Sequence, residues 1–387
     1  MTVFDWAISF SSLDGVAERP RRLSLALQGG GSFGAFTWGV LDRLLEEPSV
    51  ALDAISGASA GAVNAALLTA GLIEGGRTEA KARLERFWKR MSDLAAFLPS
   101  ADGSGLGFLA RKLSPALFNP LNLNPMREAL LAEVDFASLR ERSPLKLLVA
   151  ATRVRDGALR IFTEEELTIE SLLASACLPL VHHTIEVDGE PYWDGGYVAN
   201  PPLIPLVLAS ETPNILVVQV TPTHSERLPT TVDEIRERLE QIRFNSSLNA
   251  ELEALRLCAL RAPRDSRRLR IDRISAQDEF EGLDRESAGN LAWSFLLELH
   301  RSGRNAVETW LGEAAPEERP ALRPRVGPLP GIDDVRARAK LGPPAKPRAD
   351  RRPGWARLWK RALVRSQRWF RGSASLRSFS RLKRRGQ

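Results

Sequence analysis

Three short clusters hold groups able to do chemistry: Gly57-Ala58-Ser59-Ala60-Gly61, Gln28-Gly29-Gly30-Gly31-Ser32-Phe33-Gly34 and Trp193-Asp194-Gly195-Gly196-Tyr197. The first fits a nucleophile elbow. A sharp strand-to-helix turn exposes the serine hydroxyl, and Gly57 and Gly61, two residues either side, keep the cramped turn free of clashes. A helix starting at Ala60 aims free N–H groups and the positive end of its dipole at the place where negative charge must develop. The bland alternative is a small-residue turn in a packed α/β unit. The pentapeptide alone does not separate the two.

The glycine-rich cluster falls between an apolar run and a helical pattern. Its Gly-x-Gly-x-x-Gly spacing raises a dinucleotide site, which needs an acid about 20 residues on, at the end of the second strand. Asp53 stands at the start of that strand, the wrong end. The better reading is an anion cradle. Gly29, Gly30 and Gly31 let main-chain N–H groups line up with no side chain in the way, and Gly34 closes the motif. In a serine hydrolase such a cradle is an oxyanion hole, where losing one donor costs about 3–4 kcal/mol of barrier. The alternative is a tight turn.

A nucleophilic serine needs a base within hydrogen-bond reach. Asp194, followed by Gly195 and Gly196, can sit in a turn with its oxygens free. It can act as base if its surroundings lift its pKa or pre-align the proton transfer. Taken alone, it is as well read as an ordinary Asp-Gly turn. The four histidines are His182, His183, His224 and His300. His182 and His183 fall on an expected strand at residues 181–187, so one of them faces the site side, but a cleft-wall or surface role fits better. No His or Cys spacing suits zinc, so neither metal nor cofactor is expected.

The elements that must position these groups follow from periodicity. Residues 23–27, 53–56, 146–151, 159–163, 181–187, 214–220 and 268–274 read as strands. Residues 36–45, 60–72, 79–91, 169–177, 232–260 and 286–311 read as helices, with a break near Phe244. Alternating buried strands and helices predict an α/β sheet with helices on both faces. Residues 99–125 are loop-like but carry apolar side chains, as a lid or acyl-chain wall does.

The chain has 387 residues, 54 Lys plus Arg, 48 Asp plus Glu and a formal net charge of +6. Thirteen of those bases lie in 351–387, which holds no acid. The remainder is mildly acidic, and the basic end is an expected interaction tail. Residues 355–387 set three of the nine tryptophans among these cations. That mixture suits an anionic membrane surface. A solvated basic tail and an RNA-binding segment remain alternatives, with nucleic acid the less favoured partner. Two widely separated cysteines fit a reducing compartment. The first ten residues lack the pattern of a signal peptide. No run of about 18 apolar residues predicts a membrane-spanning helix. A cytoplasmic, peripherally membrane-associated protein is expected.

Together and in this order, the three clusters resemble the patatin-like phospholipases. Asp53-x-Ile55-x-Gly57 before the elbow, Val63-Asn64-Ala65 after it, and Asn200-Pro201 after the Asp-Gly-Gly turn strengthen the likeness. It covers roughly residues 22–220. Beyond that, Phe244-Asn245-Ser246-Ser247 and Trp293-x-Phe295-Leu296 are similar to segments of bacterial members. The resemblance implies a three-layer α/β/α fold with a mostly parallel central sheet, a Ser59–Asp194 dyad, and no metal or organic cofactor. It implies N–H groups near Gly30, Gly31 and Ala60 as oxyanion donors, and a phospholipid or other acyl ester as substrate. One departure is Phe33, where many members carry a basic residue. Two alternatives stay open: the same dyad acting on neutral lipid or intracellular polyester, and a non-catalytic lipid-binding protein. The expected organisation is a lead-in (1–21), a catalytic core (22–220), a helical continuation (221–312), a Pro-rich linker (313–354) and the basic tail (355–387).

Overall fold

Leu23, Leu25 and Leu27 alternate with Ser24 and Ala26, so this strand has an apolar side chain for each face of a sheet. In the computed structural model it is the central strand β1 (Arg21–Leu27). The structure describes residues 20–96, 124–225, 228–261, 269–279 and 288–312. The expected lead-in before residue 20, most of the lid segment 99–125, the Pro-rich stretch 313–354 and the tail 355–387 lie outside the described residues.

The strands that follow are β2 (Val50–Gly57), β3 (Lys146–Arg153), β4 (Leu159–Thr163), β5 (Ile185–Val187), β6 (Glu190–Asp194), β7 (Asn214–Gln219) and β8 (Arg270–Ser275). The helices are α1 (Gly34–Glu46), α2 (Ala60–Ala96), α3 (Pro125–Glu133), α4 (Phe136–Arg142), α5 (Ile169–Ser175), α6 (Leu203–Ala209), α7 (Val232–Arg261), α8 (Ala276–Glu279) and α9 (Trp293–Gly312). The sheet order is β5-β6-β3-β2-β1-β7-β8, with β4 also pairing β3. The pairs β1–β2, β1–β7, β2–β3 and β7–β8 are parallel; β4, β5 and β6 add the antiparallel side.

Alternation sends the two sets of side chains into two cores. Leu23, Leu25, Leu27, Ile55, Leu147, Leu216 and Val218 join α1, α2 and α9 on one face. Ala26, Ala54, Leu148, Ile215 and Val217 meet Leu203 and Leu206 of α6 and Leu248 of α7 on the other. The result is the three-layer α/β/α arrangement that the patterning predicts.

Several boundaries differ from the sequence reading. The two helices expected at 60–72 and 79–91 are found within α2, each longer than expected and separated by a kink where Gly75 and Gly76 leave helical geometry, Gly76 at φ 68. The strand expected at 181–187 shortens to Ile185–Val187, because residues 178–182 form a turn that leaves Leu180 and Val181 exposed. The break expected near Phe244 is absent: α7 runs through it, and Asn245 Nδ2 donates to the Gln241 carbonyl one turn back. The last helix begins at Trp293 rather than 286.

Helices α1 and α9 pack with glycines at their closest approach. A Cβ on Gly39 would run into the His300 carbonyl, and one on Gly303 into the Phe36 carbonyl. Gly39→Ala is therefore expected to lower stability by about 1–3 kcal/mol through overpacking. The readout is a lower urea midpoint at unchanged slope. An unchanged midpoint would mean that the helices slide apart freely.

Candidate active site

Strand β3 brings the three clusters to one place. Gly57, the last residue of β2, is paired with Val149. Asp194, the last residue of β6, is paired with Ala151. The two partners are two residues apart on one strand, about 7 Å at ~3.3 Å per residue. The loop after β1 lies on the other side of β2, since Leu27 is paired with Gly57. So the ends of β1, β2 and β6 converge at the carboxyl edge of the parallel strands, where open α/β sheets bind ligands.

The elbow has the geometry that its glycines permit. Ser59 sits at φ 53, in the left-handed region. A non-glycine residue there is held by its surroundings. The Ser59 N–H donates to both the carbonyl and the hydroxyl of Ser175 at 3.1 Å, at the end of α5. Gly61 and Val63 N–H then return to the Ala58 and Ser59 carbonyls and start α2. Gly57 and Gly61 are required by close approach: a Cβ on Gly61 would strike the Leu27 carbonyl, and one on Gly57 would lie 2.6 Å from the Ala62 nitrogen. The Ala60 N–H takes no part in the hydrogen bonds of this turn.

The glycine loop rests directly on the elbow. A Cβ on Gly29 would fall 2.6 Å from both the Ala58 oxygen and the Ser59 Cβ. Its N–H is already given to Asn200 Oδ1 at 2.7 Å, while Asn200 Nδ2 donates to the Gly29 carbonyl. The Gly34 N–H is likewise spent, on the carbonyls of Gly31 and Ser32. The expected cradle of four glycines thus narrows: the N–H groups of Gly29 and Gly34 are taken, and those of Gly30, Gly31 and Ala60 form none of the backbone or side-chain bonds of the loop and the elbow. Gly31 is at φ 61, which turns its peptide without steric penalty.

Polar side chains within and beside the quoted motifs hold this loop. Gln28, fully buried, accepts from the N–H groups of Val220 and Thr221 at 2.8 and 2.7 Å. It donates to the Asn200 carbonyl and to Asn245 Oδ1. Asn245 Oδ1 also receives Gln219, and its Nδ2 reaches the Pro222 carbonyl. Asn64, after the elbow, ties α2 to the Gly34 carbonyl and accepts from Trp88 Nε1. Gln28, Asn64, Asn200 and Asn245 all stand in segments that the sequence reading quoted, though nothing in the sequence showed these bonds. Ser175 carried none.

Asp194 is fixed through its backbone and left free at one oxygen. Its N–H donates to the Cys177 carbonyl, and its carbonyl accepts from Thr152 Oγ1 at 2.7 Å. Oδ1 accepts the Gly196 N–H at 2.7 Å. Gly195 is needed because a Cβ there would strike the Ala150 carbonyl. Oδ2 is buried without a formed hydrogen bond. The Ser59 hydroxyl is near enough to favour the ionised form, but not in the alignment of a formed bond. Such bonds tighten when substrate arrives. Complete burial dominates and lifts the carboxyl to about pKa 6, against the Ser59 hydroxyl and the Gly196 N–H, which pull it down.

No histidine shares a hydrogen bond with Ser59 or Asp194 among the described residues. His182 and His183 lie in the turn before β5, not on a strand. His182 lines a small recess with Met126, Leu173 and Cys177, and burial lowers its pKa. Burial also pushes the Cys177 thiol up to about 11. Asp53 lies at the amino end of β2, where it accepts from Ser24 Oγ and the Glu211 N–H and pairs with Arg22. Its role is to join strand ends away from the site. Among the described residues no cluster of His, Cys, Asp or Glu is placed to hold a metal ion. None of their helices is long and apolar enough to cross a membrane.

A half-buried serine at a strand-to-helix elbow, a glycine loop and a buried carboxylate at the carboxyl edge of an α/β/α sheet define the nucleophile-elbow class of α/β proteins. Within that class, residues 25–207 match the family of patatin-like phospholipases, and the chain carries a patatin-like phospholipase domain. Among solved structures it is similar to VipD from Legionella pneumophila, at 16% identity over 73% of this chain and 67% of that one, with a TM-score of 0.36. It is similar also to a chain of the ExoU–SpcU complex from the type III secretion system of Pseudomonas aeruginosa. There the identity is 15% over 76% of this chain, and the TM-score is 0.33. This chain covers 52% of that chain's length. No curated protein matches the sequence.

Proposed function

We propose that this protein is a serine acyl hydrolase that cleaves carboxylic esters of lipids, of the phospholipase A or lysophospholipase type, by a Ser59–Asp194 dyad. The observation that carries the reading is the Asp194 carboxyl group: fully buried, with Oδ2 lacking a formed hydrogen bond, and close enough to the hydroxyl of the positive-φ Ser59 to be influenced by it. Burying an unpaired carboxylate oxygen is unfavourable, and function is its simplest reason.

In this mechanism the Ser59 oxygen attacks the ester carbonyl while its proton passes to Asp194 Oδ2. The oxyanion formed is held by the N–H groups of Gly30, Gly31 and Ala60, at the start of α2. Collapse breaks the bond to the alcohol, which leaves with the proton from Asp194. Water, deprotonated by the same carboxylate, then attacks the acyl-enzyme. A second collapse releases the fatty acid and restores the Ser59 hydroxyl. Each step uses side chains and main-chain amides only, so the proposed reaction needs neither metal nor organic cofactor.

Residues 355–387, outside the described residues, suit an anionic lipid surface by composition. They support placing the reaction at a membrane.

A fluorophosphonate probe tests the reading. The protein is expected to be labelled stoichiometrically, with the adduct on the peptide that carries Ser59. Labelling on another serine, or none under conditions where the protein is folded, would sink it and favour a non-catalytic lipid-binding protein.

A further inference from the structure

Helix α7 closes one wall of the candidate site. Its Phe244 packs over Gly196, so close that a Cβ there would lie 2.5 Å from Phe244 Cε1 and 3.0 Å from Asp194 Oδ1. Phe244 also meets the ring of Tyr197, with centroids 5.4 Å apart. The next side chain back along the helix, Arg243, lays its guanidinium 4.2 Å from the centre of the Tyr197 ring. A row therefore runs from Gly196, whose N–H is bonded to the Asp194 carboxylate, through Phe244 and Tyr197 to an exposed cation.

Two features of that cation stand out. Glu240, one turn earlier, is at the spacing for a helix-surface ion pair, yet Arg243 forms no ion pair among the described residues and lies on Tyr197 instead. On the same stretch of helix, Leu239 is 60% and Ile242 51% exposed, so the cation stands beside an uncovered apolar stripe. The Tyr197 hydroxyl has no hydrogen bond among the described residues. Burial, with Glu240 and Asp194 nearby, raises its pKa to about 12, and like an unperturbed tyrosine it is protonated, and so a donor, at neutral pH.

We propose that Arg243, with the Tyr197 hydroxyl, forms the subsite for the phosphate of a phospholipid headgroup, and so sets the preference for phospholipid over neutral ester. A guanidinium offers paired donors in a plane that matches phosphate oxygens, and stacking on Tyr197 holds that plane in place. In a glycerophospholipid the phosphate is only a few bonds from the ester carbonyl that Ser59 would attack. The exposed Leu239 and Ile242 give the apolar part of the same amphiphile, or of the surface it comes from, a place beside the phosphate. This assignment rests on the ester-hydrolase reading of the Ser59 site.

The test compares wild type, R243Q and R243K on phosphatidylcholine and on diacylglycerol of the same acyl chains, in micelles of one detergent, by fatty acid release. In R243Q the ratio of kcat/KM for phosphatidylcholine to that for diacylglycerol is expected to fall by about tenfold or more, and R243K to recover part of it. An unchanged ratio, whether both rates fall together or neither falls, overturns the assignment. Inorganic phosphate separates a headgroup subsite from a site for the free ion. Weak competition against phosphatidylcholine that R243Q abolishes supports the headgroup; equal inhibition of diacylglycerol hydrolysis contradicts it. A wild type inactive on both lipids removes the hydrolase reading and this assignment together, whereas an active wild type with an unchanged R243Q ratio removes this assignment alone.

Discussion

Ser59→Ala is expected to lower ester hydrolysis by about 10⁴-fold or more, to the level left by substrate binding and oxyanion contacts alone. The substitution removes the attacking atom and little else. The Ser59 N–H, bonded to Ser175, and the Ser59 carbonyl, which accepts from Val63, are main-chain groups that alanine keeps. Alanine tolerates φ 53 no better than serine, so the backbone strain is shared by both proteins. The urea midpoint should therefore move by less than about 1 kcal/mol equivalent. That makes the lost rate a chemical effect rather than unfolding. Purified Ser59→Ala protein that retains a tenth of the wild-type rate would end the case for this serine.

Asp194→Asn carries the second large effect, and it acts on rate and stability in opposite directions. The amide cannot take the serine proton, so kcat should fall by roughly 10²–10⁴-fold. In the wild type only the ionised carboxylate is a base. Since burial sets its pKa at about 6, kcat/KM should rise with pH through that value and level off above it. The variant's residual rate should lack this limb.

For stability the sign reverses. A carboxyl whose folded pKa is raised from 3.8 to about 6 stabilises the fold relative to its ionised form at low pH. That contribution is full below the unfolded pKa and is lost as pH rises through the folded value. The loss is on the order of 3 kcal/mol at 1.36 kcal/mol per pKa unit. Asparagine, which never ionises, escapes it. Asp194→Asn is thus expected to be more stable than wild type by up to about 3 kcal/mol near pH 8 and to converge with it near pH 4. Urea melts at the two pH values check this. A variant with the wild-type pH profile of stability would show that Asp194 is not the strained, buried base described here.

The stability gain and the rate loss come from one atom. In the proposed mechanism the unsatisfied Oδ2 is the atom that receives the proton, and the fold bears the energy of leaving it unpaired. The same logic explains why Ser59 is held at a positive φ by Ser175 rather than relaxed into the helix.

The sequence by itself determined the alternating strands around Leu23–Leu27, the elbow, the glycine loop and the Asp-Gly-Gly turn. Each is a local matter: a side-chain period of two, or a backbone that only glycine can follow past a neighbouring carbonyl. The tertiary structure alone decided three other things. It decided which loop amides stay free, because Asn200 takes the N–H of Gly29 from 171 residues away. It decided that the Asp194 carboxyl has a raised pKa, because burial is a property of the whole packed core and not of a pentapeptide. And it decided that the strand expected at 181–187 gives way to a turn over residues 178–182, and that Arg243 faces Tyr197, because such choices depend on what the neighbouring elements leave uncovered. Short-range backbone geometry is written residue by residue; hydrogen-bond partners and dielectric surroundings exist only once distant segments meet.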